Sequence, residues 1–306
     1  MKMKNRVVLA PLTQNRATMD LVPTDRDADV SMLCHAAFFF VLPRAGLIVS
    51  EATAVSKEVQ GYPPTPGIFT ADQIAGWKKI TDAVHARGSK QVCQIWHCGR
   101  VGHESYHPEG KAPLAPSALA CPEGEAFTME GFKPFTVPRE MTVEYIETAV
   151  EQFRQEALNS IEAGFDGVEI HATNGYLIDQ FLKDSSNKRT DNYSGSLKNR
   201  FRFLREIVVA CQQAIGKDKL NIRPRDHRST LRLSPGGTFN ATKDDKKEAT
   251  GNHEYFMKEL SALDMSYLHV KLADHQDERH GGKIISIDTI RKCFGGALVT
   301  NNRYDE

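Results

Sequence analysis

The sequence lacks an excess of either sign of charge. Lys and Arg together number 39 and Asp and Glu also number 39, so the formal net charge at neutral pH is zero. Proteins that bind nucleic acid or an anionic membrane surface usually carry an excess of positive charge. We therefore expect no nucleic-acid and no membrane partner, and the composition favours a small-molecule ligand.

The sequence also lacks long apolar runs and closely spaced cysteines. Its longest apolar run, AAFFFVL at residues 36–42, is far shorter than the roughly 20 residues of a membrane span. No charged-then-apolar signal peptide opens the chain, so we expect a cytoplasmic protein. The cysteines show no CxxC spacing, which predicts reduced thiols rather than a disulfide framework; they are Cys34, Cys93, Cys98, Cys121, Cys211 and Cys293.

Short β-branched runs alternate along the chain with segments that carry apolar residues at three- and four-residue spacing. This alternation is typical of βα units that build a parallel sheet. The predicted strands cover residues 6–12, 47–51, 91–96, 166–171, 231–233 (or a run near Ile222), 266–270 and 297–300. The predicted helices cover residues 71–87, 143–163, 197–215, 253–263 and 287–294.

Seven βα units without a linker or a change in composition predict an α/β fold, a TIM (β/α)8 barrel in a single domain over residues 1–306. A closed barrel has eight strands, so we expect the eighth βα unit to be missing and the domain to be incomplete at its C-terminus. Open edge strands can pair with another chain, which makes a homo-oligomer possible. The Pro- and Gly-rich segment 102–140 is expected to form a lid or a wall.

The strongest candidate site follows the fourth predicted strand. The run FDGVEIH brings His171 to the C-terminal end of this strand, and Asn174 and Tyr176 follow in the next turn. A neutral imidazole and an amide can both donate hydrogen bonds to a carbonyl oxygen and stabilise negative charge there. A tyrosine keeps its proton at neutral pH and can give it to a carbanion. A lone His at a strand end is more often structural, but three such groups within six residues favour catalysis.

Residues 171–202 carry a long polar pattern, H-x-x-N-G-Y-L-x-x-Q-F-L followed by N-x-R-T-D-x-Y-x-G-S-x-x-N-R. This pattern resembles the active-site segment of the Old Yellow Enzyme family of flavin-dependent ene-reductases, which includes oxophytodienoate reductases and bacterial enoate reductases. The resemblance implies that His171 and Asn174 bind the substrate carbonyl. It also implies that Tyr176 protonates the α-carbon.

Further runs along the chain are similar to segments that contact the flavin in this family: NRVVLAPLTQNRA, GLIVSEATAVS, QIWHCGR and LRLSP. The resemblance implies a pairing between the Gln94 amide and the pyrimidine edge of FMN, and a cation, Arg232, beside the reduced flavin. Arg223 is an alternative for this cation. We favour Arg232 because LRLSP, the run that contains it, is the fuller match. The residues with an implied cofactor role are Pro11, Leu12, Thr13, Ala52, Gln94, Arg232 and Asn302.

The resemblance also implies a substrate pocket and a reaction. Trp96 in QIWHCGR and Tyr62 in GYPPTPGIF stand where the family has substrate-facing aromatic residues. In the implied ping-pong cycle NADPH reduces FMN, and reduced FMN passes a hydride to the β-carbon of an α,β-unsaturated carbonyl compound. The expected cofactors are therefore FMN and NADPH, and the expected substrate is an enone. These residues do not distinguish NADPH from NADH.

The sequence departs from the family pattern at several points. No G-x-G-R segment for the FMN phosphate follows the seventh predicted strand, and HAAFFFVLPR at residues 35–44 stands where an amphipathic helix is expected. Ser194 also replaces an expected glycine. These departures predict weak FMN retention, and they support an alternative hypothesis, a flavin-poor and catalytically impaired remnant of the family.

Two other functions are disfavoured. A lyase or aldolase with Lys271 as its Schiff-base residue would give the H-x-x-N-G-Y run no role. A metal site at His97, His103 and His107 would need a ligand spacing that these residues lack. We therefore expect no metal.

Overall fold

The structure is a computed structural model that describes residues 3–24, 45–216, 229–244, 248–263 and 265–301. Segment 35–44, the run near Ile222, Arg223 and Asn302 lie outside the described residues. The strands are β1 (Val8–Leu9), β2 (Leu47–Ala54), β3 (Lys90–Trp96), β4 (Leu114–Ala115), β5 (Ala126–Thr128), β6 (Gly131–Lys133), β7 (Arg139–Glu140), β8 (Gly167–Ala172), β9 (Ser229–Leu233), β10 (Leu268–Lys271) and β11 (Leu298–Asn301). The helices are α1 (Ala71–Ala86), α2 (Val143–Glu162), α3 (Leu177–Leu182), α4 (Leu197–Ile215), α5 (Ala249–Ser261), α6 (His275–Arg279) and α7 (Ile287–Cys293).

The main sheet has seven strands in the order β1-β2-β3-β8-β9-β10-β11, and all of its pairings are parallel. In a flat sheet β2 and β10 would lie about 19 Å apart, because neighbouring strands are about 4.8 Å apart. Leu47 and Val49 of β2 instead pack in one cluster with Tyr267, next to β10, and Val299 of β11. The sheet is therefore curled around an interior and nearly closed into a barrel. In the described residues no ladder joins β1 to β11, and the absence of an eighth βα unit stays a prediction.

Alternation along the central strands separates the barrel interior from the layer under the helices. In β8, Val168 and Ile170 belong to the large apolar cluster that α2 and α4 also enter. Glu169 lies between Val168 and Ile170, and His171 follows Ile170. Because successive side chains of a strand point to opposite faces, Glu169 and His171 face the barrel interior. The same alternation in β3 puts Cys93 and Ile95 under the helices. The interior is thus lined partly by polar residues, although all of these strand residues are buried.

Strand β2 contains a bulge that shapes the C-terminal end of the sheet. The register between β2 and β3 shifts between Val49 and Ala52. At this shift the Ser50 hydroxyl accepts a hydrogen bond from the backbone N–H of Gln94, at 2.9 Å, and so replaces a ladder acceptor. Bulges re-aim the side chains that follow them. Beyond the bulge, Ala52 pairs with Gln94 and Ala54 with Trp96.

The segment 102–140 forms a wall of short elements beside the barrel rather than a βα connection. It contains the parallel pair β4–β7 and the hairpin β5–β6. Arg189, which is 9% exposed, fastens this wall by donating to the backbone oxygens of Pro116 (3.1 Å) and Met141 (2.5 Å). The Asp191 carboxylate neutralises the same guanidinium at 2.5 Å. The Arg and Asp of the N-x-R-T-D run therefore have a structural role.

Within the described residues, no helix combines the length and the apolar character that crossing a bilayer would require.

Replacing Arg189 with Lys should lower the free energy of unfolding by about 2 kcal/mol, because an ammonium group cannot reproduce a buried guanidinium fork on several acceptors. Urea denaturation followed by tryptophan fluorescence measures this change. Arg154→Lys is the matched control, since Arg154 pairs with Glu151 on the exposed face of α2, and its effect should stay below about 0.5 kcal/mol. Equal effects of the two substitutions would contradict the anchoring role of Arg189.

Candidate active site

The predicted catalytic residues lie at the C-terminal end of the parallel sheet, where active sites of this architecture form. His171 is the fifth residue of β8 and pairs in register with Arg232 of β9. Arg232 in turn pairs with His269 of β10. The parallel ladders therefore bring an imidazole, a guanidinium and a second imidazole to one level of the barrel.

Four aromatic rings meet above this level. The Tyr176 ring lies 4.6 Å from Trp96 and 5.0 Å from His171, centroid to centroid, and both contacts are edge-on. Tyr62 stacks on Trp96 with 5.9 Å between centroids and 5° between planes. Ala52 packs in the same cluster, with Phe135 of the wall against it. The structure thus brings Tyr62, Trp96, His171 and Tyr176 together, as the family resemblance implies.

His171 is held as a neutral imidazole with a defined tautomer. Burial, together with the charges of Arg232 and His269, keeps the pKa of His171 well below its ordinary value of 6.5. Its Nδ1 atom accepts from the backbone N–H of Thr173 at 3.4 Å and lies 3.2 Å from the Thr173 hydroxyl. Because Nδ1 is an acceptor, the proton resides on Nε2. His171 therefore offers one N–H donor to a ligand.

Asn174 occupies a left-handed backbone conformation with φ of +60°. Such a conformation is uncommon outside glycine, and it persists where the surroundings enforce it. The Asn174 backbone N–H donates to the Ser234 hydroxyl at 3.3 Å, and its carbonyl accepts from the Asn240 amide at 2.8 Å. These contacts leave the Asn174 side-chain amide, which is half-buried, as a donor beside the strand end.

Gly175 continues this turn with φ of +70°. Its N–H donates to the Asp179 carboxylate at 2.8 Å, and its carbonyl accepts from the Gln180 side chain at 2.7 Å. A Cβ atom at this position would lie only 2.5 Å from the carbonyl oxygen of Phe239. Gly175 is therefore required by a close approach of two backbones as well as by its torsion angle.

Arg100 connects Gln180, which bonds this turn, with the loop after β9. Its guanidinium donates to the carbonyl of Ala241 at 3.0 Å and to the Thr242 hydroxyl at 3.2 Å. Its backbone N–H donates to the Gln180 side chain at 3.2 Å. Asn240 and Ala241 are both left-handed, with φ of +56° and +51°, so two consecutive strained residues carry the Asn240 amide to Asn174.

Tyr176 is protonated over the whole physiological range. Burial and the neighbouring Tyr62 hydroxyl raise the pKa of Tyr176 well above 10, and the positive charge of Arg232 offsets only part of this rise. Its hydroxyl lies 3.0 Å from that of Tyr62. A phenol that keeps its proton but sits against a nearby cation can serve as a general acid.

Among the described residues, Arg232 is a buried cation with no partner of opposite charge at contact distance. It is 7% exposed, and its Nε atom has no hydrogen-bond partner within the part of the chain that the structure describes. Burial lowers the pKa of Arg232, while the charge of Glu169 raises it. A buried guanidinium without acceptors is costly. Its position at the open end of the barrel fits a ligand that brings anionic or carbonyl oxygens.

A layer of polar side chains fills the barrel interior below Arg232. Gln94 donates through Nε2 to one Glu169 oxygen at 2.8 Å, and the other oxygen contacts His269 Nδ1 at 3.0 Å and the Tyr267 hydroxyl at 3.2 Å. Burial raises the pKa of Glu169, but His269 and Arg232 bring it below its ordinary value overall. Because a carboxylate only accepts hydrogen bonds, Glu169 fixes which way the Gln94 amide is turned. The Gln94 carbonyl oxygen and second N–H are then directed away from Glu169.

The remaining predicted cofactor residues lie around this level. Ala52 is buried beside Trp96 and Tyr176. Among the predicted site residues that the structure describes, Leu12, which is 60% exposed, and Thr13 are the most exposed, whereas Pro11 is buried. A hydrogen bond of 2.9 Å from the Gln14 N–H to the Glu51 carboxylate ties this segment to β2. The structure leaves the roles of Arg223 and Asn302 open because both lie outside the described residues.

Several residues of the site were not found from the sequence. Glu169 and His269 carried a signal, since each is a titratable residue that alternates with apolar neighbours in a buried strand, GVEIHA and YLHVK. Gln180 and Ser234 stand in the quoted runs H-x-x-N-G-Y-L-x-x-Q-F-L and LRLSP, but no role was predicted for them. Asn240 carried no signal, because a polar residue in a loop predicts no contact by itself. Their role became visible only where the loop after β9 reaches the turn at Asn174.

Comparison with known proteins places this geometry in a family. The family model described as the NADH:flavin oxidoreductase / NADH oxidase family matches residues 1–306. Putative 12-oxophytodienoate reductase 11 of Oryza sativa subsp. japonica is 38% identical over 312 residues, covering 99% of this chain and 78% of that protein. 12-oxophytodienoate reductase 2 of Arabidopsis thaliana is 40% identical over 271 residues, covering 88% of this chain and 67% of that protein.

Solved structures show the same similarity. Morphinone reductase superposes with a TM-score of 0.86 at 36% identity, covering 99% of this chain and 77% of that one. The Old Yellow Enzyme homologue of Zymomonas mobilis gives a TM-score of 0.84 at 37% identity, covering 99% and 79%. The prediction of an α/β TIM barrel is confirmed. The chain belongs to the NADH:flavin oxidoreductase / NADH oxidase family, the Old Yellow Enzyme family, and is an FMN-dependent flavin oxidoreductase that uses NAD(P)H.

Proposed function

We propose that this protein is an ene-reductase that uses NADPH to reduce the C=C bond of α,β-unsaturated carbonyl compounds. The observation that carries the proposal is the juxtaposition of a neutral His171 N–H donor, the Asn174 amide and the protonated Tyr176 at one strand end. These groups can bind a carbonyl oxygen and deliver a proton close to it. Morphinone reductase, a structural neighbour, has been solved with tetrahydroNAD, which supports a nicotinamide as the reductant.

His171 and Asn174 act as the carbonyl clamp. Each donates a hydrogen bond to the substrate oxygen, and both bonds strengthen as the oxygen gains negative charge during hydride addition to the β-carbon. A neutral imidazole suits this role because it has no proton to lose within the physiological range. Preorganisation by Thr173, Ser234 and Asn240 means that little reordering is needed when the charge develops.

Tyr176 is the general acid. Addition of hydride to the β-carbon leaves an electron pair at the α-carbon, and this pair takes the proton of the Tyr176 hydroxyl. The high pKa of Tyr176 keeps the proton in place until a strongly basic carbanion forms. Trp96 and Tyr62 form the apolar wall that orients a flat enone and excludes water.

The chain's own residues fit FMN. When bound, FMN supplies the hydride, which it has received from the nicotinamide. Arg232, whose Nε atom has no hydrogen-bond partner among the described residues, would place its guanidinium beside the oxygens of the isoalloxazine pyrimidine ring. The Gln94 amide, turned by Glu169, would pair with the same edge. Ala52 leaves room for a flat ring next to Trp96 because its side chain is a single methyl group. Pro11, Leu12 and Thr13 would contribute backbone and hydroxyl contacts from the end of β1, with Asn302 on the phosphate side.

We also infer a cytoplasmic location. Five cysteines in the described residues are free and buried, which suits a reducing compartment.

The direct test of the proposed function uses the full chain after incubation with FMN and removal of unbound flavin. A yellow protein that oxidises NADPH faster when 2-cyclohexenone is added, and that yields cyclohexanone, supports the proposal. A protein that retains no FMN, or that oxidises NADPH without forming cyclohexanone, would overturn it for this chain. The same assay with NADH establishes which nicotinamide is preferred.

Tyr176→Phe should slow alkene reduction by about 10²- to 10⁴-fold, the usual contribution of a positioned general acid. Reduction of bound FMN by NADPH should remain within a few fold of wild type, because it needs no proton from Tyr176. Stopped-flow absorbance measures the two half-reactions separately. Tyr106→Phe is the control, since the Tyr106 hydroxyl bonds the Phe127 carbonyl in the wall, at 2.9 Å. Equal losses in both half-reactions of Tyr176→Phe would contradict the role of Tyr176.

Arg232→Met should weaken FMN binding by roughly 10- to 100-fold, the equivalent of one charge-assisted hydrogen bond of about 1.5–3 kcal/mol. The apoprotein should be no less stable than wild type, because the substitution removes a buried charge that has no partner at contact distance among the described residues. Quenching of FMN fluorescence on titration measures the affinity. Arg223→Met in the same titration decides between the two arginines, and a loss confined to Arg223→Met would show that the assignment to Arg232 is wrong.

A further inference from the structure

The hydroxyl groups of Tyr62 and Tyr176 form a pair whose significance goes beyond substrate binding. The two oxygens lie 3.0 Å apart, and the rings meet edge-on with centroids 6.5 Å apart. Tyr176 is 7% exposed, whereas Tyr62 is only half-buried. The pair therefore runs from the interior of the site towards its open side.

A buried general acid must recover its proton after every turnover. Once Tyr176 has protonated the α-carbon, it is a phenolate enclosed by the rings of Trp96 and His171. The neutral imidazole of His171 is a poor acid, and Arg232 keeps its proton. Within the described residues, the Tyr62 hydroxyl is the side-chain group hydrogen-bonded to the Tyr176 hydroxyl, and either oxygen can be the donor.

We propose that Tyr62 is a proton-relay residue that returns a proton to Tyr176 after each turnover; this rests on the proposed function. In the first step the O–H bond of Tyr176 breaks as the C–H bond forms at the substrate α-carbon. The Tyr176 oxygen then takes the proton of the Tyr62 hydroxyl, and the Tyr62 oxygen takes a proton from solvent water. The net reaction consumes one solvent proton, and neither tyrosine is changed.

The surroundings of the two phenols favour this direction of transfer. Burial raises the pKa of Tyr62, the thiols of Cys98 and Cys121 add to this rise, and the hydroxyl of Tyr176 and the amide of Asn240 offset part of it. The hydroxyl of Tyr62 raises the pKa of Tyr176, which burial has already raised further. Tyr62 is the phenol nearer to solvent, because Tyr62 is half-buried and Tyr176 is buried. Because donor and acceptor are the same chemical group, the transfer has a small thermodynamic barrier.

Tyr62 is also held in place for this role. Its ring stacks on Trp96 with 5° between the planes, and its backbone carbonyl accepts from the Gln60 side chain at 3.0 Å. A Tyr62→Phe substitution keeps the stacking surface and removes only the hydroxyl. The variant therefore tests the relay without removing the aromatic wall.

The test follows product formation through the first and later turnovers. FMN-loaded protein, reduced anaerobically, is mixed with saturating 2-cyclohexenone and excess NADPH, and cyclohexanone is measured by rapid quench. We expect Tyr62→Phe to form the first equivalent of product at least tenfold faster than each later equivalent, because Tyr176 still carries its proton in the first turnover. Later turnovers should be at least tenfold slower than in wild type, which gives a burst of one product per flavin.

Tyr106→Phe, the matched loss of a hydroxyl outside the pair, should show no burst. A Tyr62→Phe variant with equal rates in all turnovers, or with a first turnover as slow as the later ones, would overturn the relay. Failure of the proposed function itself gives a different result. In that case the wild-type chain would form no cyclohexanone, or Tyr176→Phe would complete the first turnover at the wild-type rate.

Discussion

The site depends on the register of three parallel strands, which sets His171, Arg232 and His269 side by side at one level of the barrel. This register places a guanidinium in a buried position where the described protein offers no counter-ion at contact distance. The charge of Glu169, one layer below, makes the burial tolerable without neutralising the group. The arrangement keeps a positive field at the mouth of the barrel and holds His171 neutral. This field suits the proposed flavin position, because a flavin gains negative charge on reduction.

A second constraint acts on the turn after β8. The backbone N–H and carbonyl groups of Asn174 and Gly175 are all bonded to side chains from other positions: Ser234, Asn240, Asp179 and Gln180. The left-handed torsion angle at Asn174 costs free energy that these bonds offset, whereas Gly175 adopts its positive φ without a steric cost. Arg100 connects the supports, so the end of β3, the start of α3 and the loop after β9 form one assembly. Catalytic side chains on such a turn are placed before the substrate arrives.

Much of this structure could be predicted from the sequence, and the failures have physical causes. All seven predicted strands are present in the described residues, because buried parallel strands are short, apolar and bounded by helical patterns. Strand β2 was predicted to end at Glu51 but continues to Ala54. The prediction stopped short because the bulge interrupts the regular strand pattern. Helix α5 begins at Ala249, whereas the prediction placed its start at His253. The sequence did not indicate the true start because no side chain caps the first turn of this helix. Helix α6 was missed although Asp274 and Asp277 form a capping box there.

The site was predictable where one run of sequence carries it, as at His171, Asn174 and Tyr176, and less so where distant segments meet. The contact of Asn240 with Asn174 joins residues 66 positions apart, which a single sequence does not reveal. The central claim is that this site, when FMN is bound and reduced, delivers a hydride and a proton to an enone. Anaerobic mixing of the FMN-reduced protein with 2-cyclohexenone, without NADPH, tests it most directly. The account predicts reoxidation of the flavin with one cyclohexanone formed per flavin; flavin that stays reduced, or reoxidises without cyclohexanone, would contradict it.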